Sequence, residues 1–503
     1  MGAPTQAIRD LSGILPILVL WGVALVILLG APLLRRGPGS RLAAPLGGAG
    51  ALGALLVLLR GSSDGFGDTL FAGAALTDTL YSSGAFVLLL GGFLSVLVAQ
   101  TYLRSRDLEK PEYYAIMLLS LSGALLMMQA NDLIVLFLGL ELMSFGLYVL
   151  AGFARTDAKS DEAALKYFLL GALASALMLY GIMLTYGVAA STELSNVQSA
   201  VARGALKEPM GIAAALLLVI GLCFKIAAVP FHQWSPDVYE GAPTSATAFL
   251  ATTAKIGAIV AFLRVCDTIA GGYHTWLPAI RAIAILSMIV GNLIAIAQTN
   301  VKRMLAYSGV AHAGYLLVAV ACMGFRLMGT KGTQASILAM TGAVFYLLAY
   351  ALALIGAFGV LAYLSSRDKD AQTLNDLRGL ASSQPAVGYA MVLFMLSLAG
   401  IPATAGFIGK WQVFYAVLTG GDVALAVTMA LTSAMGVYYY LRVVWYIVFE
   451  ESAAPKPSPT GHGVEARPRA MTGVGAAITI CCIATIGLGI LPAAISSFLT
   501  VVR

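Results

Sequence analysis

The chain has 503 residues, 59% apolar and only 11% charged, where a soluble domain carries roughly 25% charged residues. With a mean hydropathy of +0.88, these figures exclude a soluble enzyme, a disordered chain and a nucleic-acid binder. The net charge of +6 fits basic residues gathered in cytoplasmic loops better than an acidic partner.

Apolar runs of about 20 residues recur from end to end, each long enough to cross a hydrocarbon core of about 30 Å as a helix. Fourteen spans are predicted, at 13–33, 42–60, 79–103, 113–130, 132–153, 163–189, 210–229, 243–264, 277–298, 302–324, 335–364, 386–410, 423–448 and 471–500. The predicted fold class is an all-α integral membrane protein, with no strand pattern. Arg9 precedes a first run that continues as a full span, so no cleavable signal is expected. Numbering each loop by the span it follows, odd-numbered loops hold 17 Lys and Arg residues and even-numbered loops 7. The odd loops are therefore expected in the cytoplasm, with both termini on the opposite side.

Two spans look interrupted. The seventh reads GLCFKIAAVPFHQW, with Pro230 soon after Lys225. The twelfth reads LAGIPATAGFIGKW, with Gly400 and Pro402 before Lys410. Proline removes a backbone donor and clashes with the preceding turn. In a membrane such breaks survive where protein or water satisfies the released groups. Two broken, charged helices five spans apart point to a repeated transporter half. The expected organisation is an N-terminal three-helix segment (1–112), two five-helix units (113–264 and 265–448), and a polar loop with a last helix (449–503).

Four ionisable residues fall deep within spans: Glu141, Lys225, Lys255 and Lys410. Each costs about 2.5–3.5 kcal/mol at a helix centre, so four unpaired charges would cost about 10–14 kcal/mol. That rivals the whole stability of a domain, ~5–15 kcal/mol. They must face one another, polar groups or water. Burial favours the neutral amine and a nearby carboxylate favours the ammonium. A lysine–carboxylate pair whose separation changes can thus load and release a proton. A static ion pair is the structural alternative for Glu141, and snorkelling for Lys225. Lys255 lies mid-span and suits onward transfer; a polar neighbour would otherwise hold it. Lys410 is expected near a span terminus, where snorkelling remains open.

His312, in AYSGVAHAGY, suits a relay because imidazole titrates near neutrality; a hydrogen-bonded structural histidine is the alternative. His232 follows Pro230 and is expected at a cavity rim. Lys166 opens the sixth span beside Asp161 and Glu162, where a solvated helix end explains it equally well. Asp132 reads as an interfacial cap. The five cysteines lie in or beside apolar runs, without metal-like or disulfide spacing. Haem, iron–sulfur, zinc, flavin and nicotinamide sites are not expected in this chain.

At these residues a family resemblance emerges. The segments EAALKYFLLGALASALMLYG, FKIAAVPFHQWSPDVYEGAPTSATAFLATTAKIGA, NVKRMLAYSGVAHAGYLL and SLAGIPATAGFIGKW resemble the subunit N family of bacterial proton-translocating NADH:quinone oxidoreductase, respiratory complex I. The resemblance covers spans 4–13. It implies an antiporter-like fold of two inverted five-helix repeats with broken helices. It also implies that Glu141 pairs with Lys225 in a first half-channel, Lys255 connects, His312 joins the central axis and Lys410 serves the second half-channel. Lys166 matches a lysine of the family's EAALKYF motif.

The resemblance further implies a multi-pass protein of the bacterial inner membrane, with both termini periplasmic. It would translocate protons, driven by electron transfer from NADH to quinone. NADH, FMN, iron–sulfur clusters and quinone would belong to other subunits, and the antiporter-like subunit M and small subunit K would be neighbours. The long lateral helix expected of subunit L is not predicted here, and DVYEGAPT differs from the DAHTEAPT form typical of subunits M and L. Two other readings stand beside this one: a subunit of a multisubunit cation/proton antiporter, and a purely architectural subunit whose charges hold helices together.

Overall fold

The computed structural model describes residues 3–34, 42–61, 68–366, 370–451, 473–493 and 495. The N-terminal segment contains α1 (Ala3–Gly13), α2 (Leu15–Leu34), α3 (Ala43–Gly61) and α4 (Thr79–Ser105). Next come α5 (Pro111–Gln129), α6 (Leu133–Ala151), α7 (Ala158–Ala189), α8 (Leu194–Ala202), α9 (Pro209–Lys225), α10 (Trp234–Gly241) and α11 (Thr244–Thr268). The remainder is α12 (Tyr273–Ala297), α13 (Val301–Ala321), α14 (Gly329–Leu364), α15 (Leu380–Ser383), α16 (Pro385–Ala399), α17 (Ala405–Thr419), α18 (Val423–Val448) and α19 (Gly473–Ile490).

Among the described residues, eleven helices are long and apolar enough to cross a membrane. The bent pair Gln6–Gly13 and Leu15–Gly30 makes a twelfth span. The seventh and twelfth predicted spans begin as the shorter apolar helices α9 and α16. The predicted count of fourteen therefore depends on how broken helices are scored. Three differences from the sequence reading stand out. A two-stranded antiparallel hairpin, β1 (Asp68–Leu70) and β2 (Ala75–Thr77), lies where no strand was expected. The short helices α8 and α10 were missed. The twelfth span does not stop at Lys410: the chain breaks after Ala399 and resumes as α17 to Thr419. Lys456, Arg467 and Arg469, counted above as loop charges, lie outside the described residues, as do Arg35, Arg36, Arg41, Arg367 and Lys369.

Local chemistry sets the helix starts. Asp78, Asp132, Asp157, Asn300, Thr404 and Asp422 cap α4, α6, α7, α13, α17 and α18 with side-chain acceptors. Proline occupies the first position of α5, α9 and α16, where its missing N–H costs nothing. Asp132 is thus the cap the sequence suggested, and it also accepts from Thr192 Oγ1 at 2.6 Å.

Every residue of α11 is buried, and α13 and α14 are nearly as enclosed. These three helices form the centre, and α4 packs on both α11 and α14. Small residues allow the closest approaches. A Cβ on Gly123 of α5 would lie 2.3 Å from Met143 N, and one on Gly139 of α6 would lie 2.4 Å from Met127 N. The α12–α13 pair meets the same way: a Cβ on Gly291 would lie 2.6 Å from Ala311 N, and one on Gly314 2.8 Å from Met288 N. Without a hydrophobic drive between helices in lipid, such contacts supply packing energy.

The loops sort into two ends. On one, Asp370 of loop 11 accepts from Tyr102 at the end of span 3 and from Thr244 beyond span 7, and it pairs with Arg106 of loop 3. Arg378 pairs with Glu450 there. On the other, Arg264 grips Asp78 through two 2.9 Å bonds, Arg326 pairs with Asp267, and Arg281 with Asp422. Odd loops thus bind odd loops and even bind even, as alternating spans require. Four of the five cysteines are buried and all are free thiols.

Candidate functional site

The first break follows Lys225, the last residue of α9. The chain turns through Ala227 (φ 58°) and re-enters a helix at Trp234. The released backbone groups find partners: Val229 N donates to Ser287 Oγ of α12 at 2.9 Å, and Trp234 Nε1 donates to the Phe224 carbonyl at 3.2 Å. The lysine is 2% exposed. Its position at a helix C-terminus suits a cation.

Lys225 Nζ donates to Ser144 Oγ at 2.8 Å and to Tyr148 OH at 3.0 Å, and lies 5.4 Å from the Tyr148 ring. Glu141, Ser144 and Tyr148 follow one another at three- and four-residue spacing, which places them on one face of α6. Glu141 itself is only partly buried and accepts from Ser175 Oγ of α7. Lys225 of α9 therefore meets the face of α6 that carries Glu141 without a direct ion pair to it, and Ser144 Oγ bonds Lys225 and the Leu140 carbonyl. Such hydroxyls can both give and take a proton.

Lys255 sits in the middle of α11, 4% exposed. It donates to the Gly309 carbonyl of α13 at 2.5 Å and to Tyr350 OH of α14 at 3.2 Å. One turn further along α13, His312 Nδ1 meets Tyr346 OH at 2.5 Å and Nε2 meets Tyr440 OH at 3.0 Å. Tyr346 and Tyr350 are themselves one turn apart on α14. Two adjacent ladders result, one of Gly309 and His312, the other of Tyr350 and Tyr346. The His312 and Tyr350 rings are 5.1 Å apart.

The second break follows the same logic. Gly400 (φ 86°) ends α16, and a Cβ there would sit 3.0 Å from Lys410 Cδ. Only glycine meets both demands without strain. Lys410 Nζ donates to the Leu398 and Ala399 carbonyls at 3.0 and 2.9 Å and to Ser433 Oγ at 3.1 Å. The lysine thus satisfies carbonyls that the break releases. It is 8% exposed and lies inside α17, so the expected place near a span terminus, and the snorkelling that went with it, are corrected. Between Lys410 and His312 lies a cavity of about 10 Å³ lined also by Tyr346, Tyr350 and Ser397, about the space of one water.

The structure thus brings Lys255, His312 and Lys410 into one polar seam and places Glu141 and Lys225 on a second. His232 stays apart: it is half-buried in the first break, its ring beside Tyr307. Among the described residues its buried Nδ1 has no hydrogen-bond partner. Lys166 is also apart, 41% exposed and paired with Glu162 and Asp237. The tyrosines and serines that link the lysines were missed. Their signal was present in spacing, Glu141–Ser144–Tyr148 and Tyr346–Tyr350, but tyrosine was read as an apolar residue.

At the odd-loop end, α10 lies beyond the seventh predicted span and carries Asp237 and Glu240. Asp237 accepts from Lys166 and Arg303, and Glu240 from Lys159 and Arg303. Burial pushes both carboxyls up, but these donors outweigh it and hold both below their ordinary values. A depressed carboxylate stabilises at neutral pH and loses that contribution as pH falls through its lowered value. Protection of the α10 amides, measured against intrinsic exchange at each pH, should therefore be high at neutral pH and fall below about pH 4. Arg303→Gln should lower the protection at neutral pH and shrink its loss in acid. Protection that is flat across the acid range would sink the assignment.

The family described as NADH:quinone oxidoreductase/Mrp antiporter, TM, matches residues 130–436, a stretch that holds both helix breaks and every ionisable residue of the two seams. The chain is 43% identical over 424 residues to NADH-quinone oxidoreductase subunit N 1 of Sorangium cellulosum, covering 82% of this chain and 80% of that one. It is 40% identical over 459 residues to its counterpart in Chloroherpeton thalassium, covering 90% and 92%. The chain belongs to the NADH-quinone oxidoreductase subunit N family. Among solved structures, a chain of respiratory complex I from Thermus thermophilus with bound aureothin superposes with a TM-score of 0.77 at 32% identity, covering 97% of this chain and all of that one. A chain of the Mrp complex from Dietzia sp. superposes with a TM-score of 0.81 at 22% identity, covering 97% and 96%, a likeness of fold alone.

Proposed function

We propose that this chain moves protons across the membrane through Lys225, Lys255, His312 and Lys410, with Glu141 biasing the first lysine. The chain is a multi-pass membrane subunit of NADH:quinone oxidoreductase, and the redox reaction between NADH and quinone drives it from other subunits, which carry the FMN and iron–sulfur clusters. The observation that carries the reading is the seam from Lys255 through Tyr350 and His312 to a water-sized cavity at Lys410. Every group in it can exchange a proton. Moving one charge against 100 mV takes about 2.3 kcal/mol, and each unit of lysine pKa change is worth about 1.4 kcal/mol. A change of environment worth a few units therefore matches the task.

The two five-helix units, 113–264 and 265–448, are supported by parallel devices. Glycine crossings join α5 to α6 and α12 to α13, and each unit has a break beside a buried lysine. The 1–112 segment and the 449–503 tail flank them. The odd-loop end faces the cytoplasm, by its excess of Lys and Arg, and both termini face the periplasm of a bacterial inner membrane. Subunits M and K are the proposed neighbours. Lys166 and His232 are accessory: the first anchors α10, the second sits at the first break.

The test is NADH-driven proton uptake into inverted membrane vesicles. Pumping should require NADH and quinone, a sodium gradient alone should move no protons, and Lys410→Ala should cut pumping in an assembled complex. Sodium-driven proton flux without NADH would favour the cation/proton antiporter instead. Disturbed assembly with a normal proton yield per electron would favour an architectural subunit.

A further inference from the structure

From Met288 to its end at Ala297, α12 carries one polar side chain, Asn292, and that side chain is fully buried. An unpaired amide in such surroundings is costly. Here both ends of the amide are paired. Asn292 Nδ2 donates to the Met288 carbonyl at 2.7 Å and to Tyr315 OH of α13 at 3.1 Å, and Oδ1 accepts from Tyr439 OH of α18 at 3.0 Å. A carbonyl only accepts, so Met288 fixes which end of the amide faces which tyrosine.

Both tyrosines stand beside the second seam. Lys410 Nζ lies over the Tyr315 ring, 5.2 Å from its centroid, within the range at which a ring face attracts an ammonium. The same ring stands at right angles to that of His312, 5.7 Å between centroids. The Tyr439 ring packs on that of Tyr440 at 4.4 Å, and Tyr440 OH meets His312 Nε2 at 3.0 Å. A hydroxyl lies on the long axis of its ring, so holding the oxygen fixes where the ring lies. Gly436 shows that α18 is shaped around the amide. A Cβ there would lie 3.0 Å from Asn292 Oδ1 and 3.4 Å from Tyr439 OH.

We propose that Asn292 is a positioning residue for proton transfer at Lys410 and His312: its amide holds Tyr315 against the lysine and Tyr439 behind the tyrosine that bonds the histidine. The proposal rests on the proton-moving reading above and adds a residue that touches neither reacting group. Asn292 exchanges no proton itself. A plainer role is glue, since buried amides also join helices in membranes. Glue needs only that α12, α13 and α18 stay together. Positioning needs the two hydroxyls, and makes the amide and the hydroxyls act as one unit.

The experiment compares Asn292→Leu, Tyr315→Phe, Tyr439→Phe and the double variant Asn292→Leu/Tyr315→Phe in the whole complex, assembly checked on native gels, by NADH-driven pumping in inverted vesicles. Leucine keeps much of the volume of the amide, and each phenylalanine keeps its ring and drops one bond. Positioning predicts a several-fold loss of pumping in Asn292→Leu and a loss in Tyr315→Phe. The double variant should pump no worse than Asn292→Leu, because the bond that Tyr315→Phe removes is already gone. Normal pumping in Asn292→Leu overturns the proposal. So does a double variant whose loss is the product of the two single losses, the mark of independent sites. If Asn292→Leu does not assemble, Tyr315→Phe combined with Tyr439→Phe decides: lost pumping supports positioning and normal pumping overturns it. Lys410→Ala in the same series separates the two levels. Its loss of pumping beside a normal Asn292→Leu overturns the positioning role alone. Normal pumping in Lys410→Ala overturns the proton-moving reading at that lysine and the proposal with it.

Discussion

Lys225→Ala should leave the complex assembled and cut NADH-driven proton pumping by about a hundredfold, the low end of what a positioned proton-transfer group contributes. Assembly should survive because the acceptors of Lys225 are two neutral hydroxyls, Ser144 and Tyr148. Removing the ammonium orphans no buried carboxylate, since Glu141 keeps its bond from Ser175. Breaking a true buried ion pair would instead be strongly destabilising, by about 3–5 kcal/mol. Lys225→Met, closer in volume, guards against a simple packing loss and should fail in the same way. Native gels and proton uptake per NADH oxidised are the measurements. Pumping at the unsubstituted level in either variant would make Lys225 a structural charge and Ser144 merely its partner.

Much of this site was legible because buried charge is expensive. Glu141, Lys225, Lys255 and Lys410 stood out against apolar runs, and Pro230 and Gly400 marked the breaks beside two of them. The depth of Lys410 was not legible. A charge after Gly400 and Pro402 looks like the end of an apolar run, yet Thr404 caps a new helix that carries the chain to Thr419. The lysine then faces inward because the break offers it carbonyls. Lys302 misled in the opposite direction. It counts as a loop charge by sequence, but it is fully buried in the first turn of α13, donating to the carbonyls of Glu240 and Ala242. Its acceptors are backbone groups at the end of a short helix, α10, that no pattern announced. The β1–β2 hairpin escaped for a simpler reason: three-residue strands are too short to show alternation. Tyr346, Tyr350 and Tyr440 were hidden by their double nature, apolar rings with one polar atom each.

Gly139→Val should nearly eliminate the chain from the membrane. A Cβ at Gly139 meets Met127 N at 2.4 Å and the Gly123 carbonyl oxygen at 2.8 Å. Both obstacles are backbone, so no rotamer change relieves them and α5 must move off α6. Overpacking of ordinary cores costs about 1–3 kcal/mol where side chains can adjust, and here they cannot. Gly22→Val is the matched control, because nothing lies within 4 Å of a Cβ at that position. Immunoblots of membranes should show Gly22→Val at the wild-type level and Gly139→Val near background. Normal accumulation of Gly139→Val would mean that the α5–α6 crossing is looser than its glycines require. The milder Gly139→Ala is the more informative variant for function. Gly139 lies two residues before Glu141 on α6, so a small outward shift of α6 carries Ser144 and Tyr148 away from Lys225. Pumping should then fall further than abundance does, because hydrogen bonds of 2.8 and 3.0 Å weaken steeply with distance while the helix pair still holds.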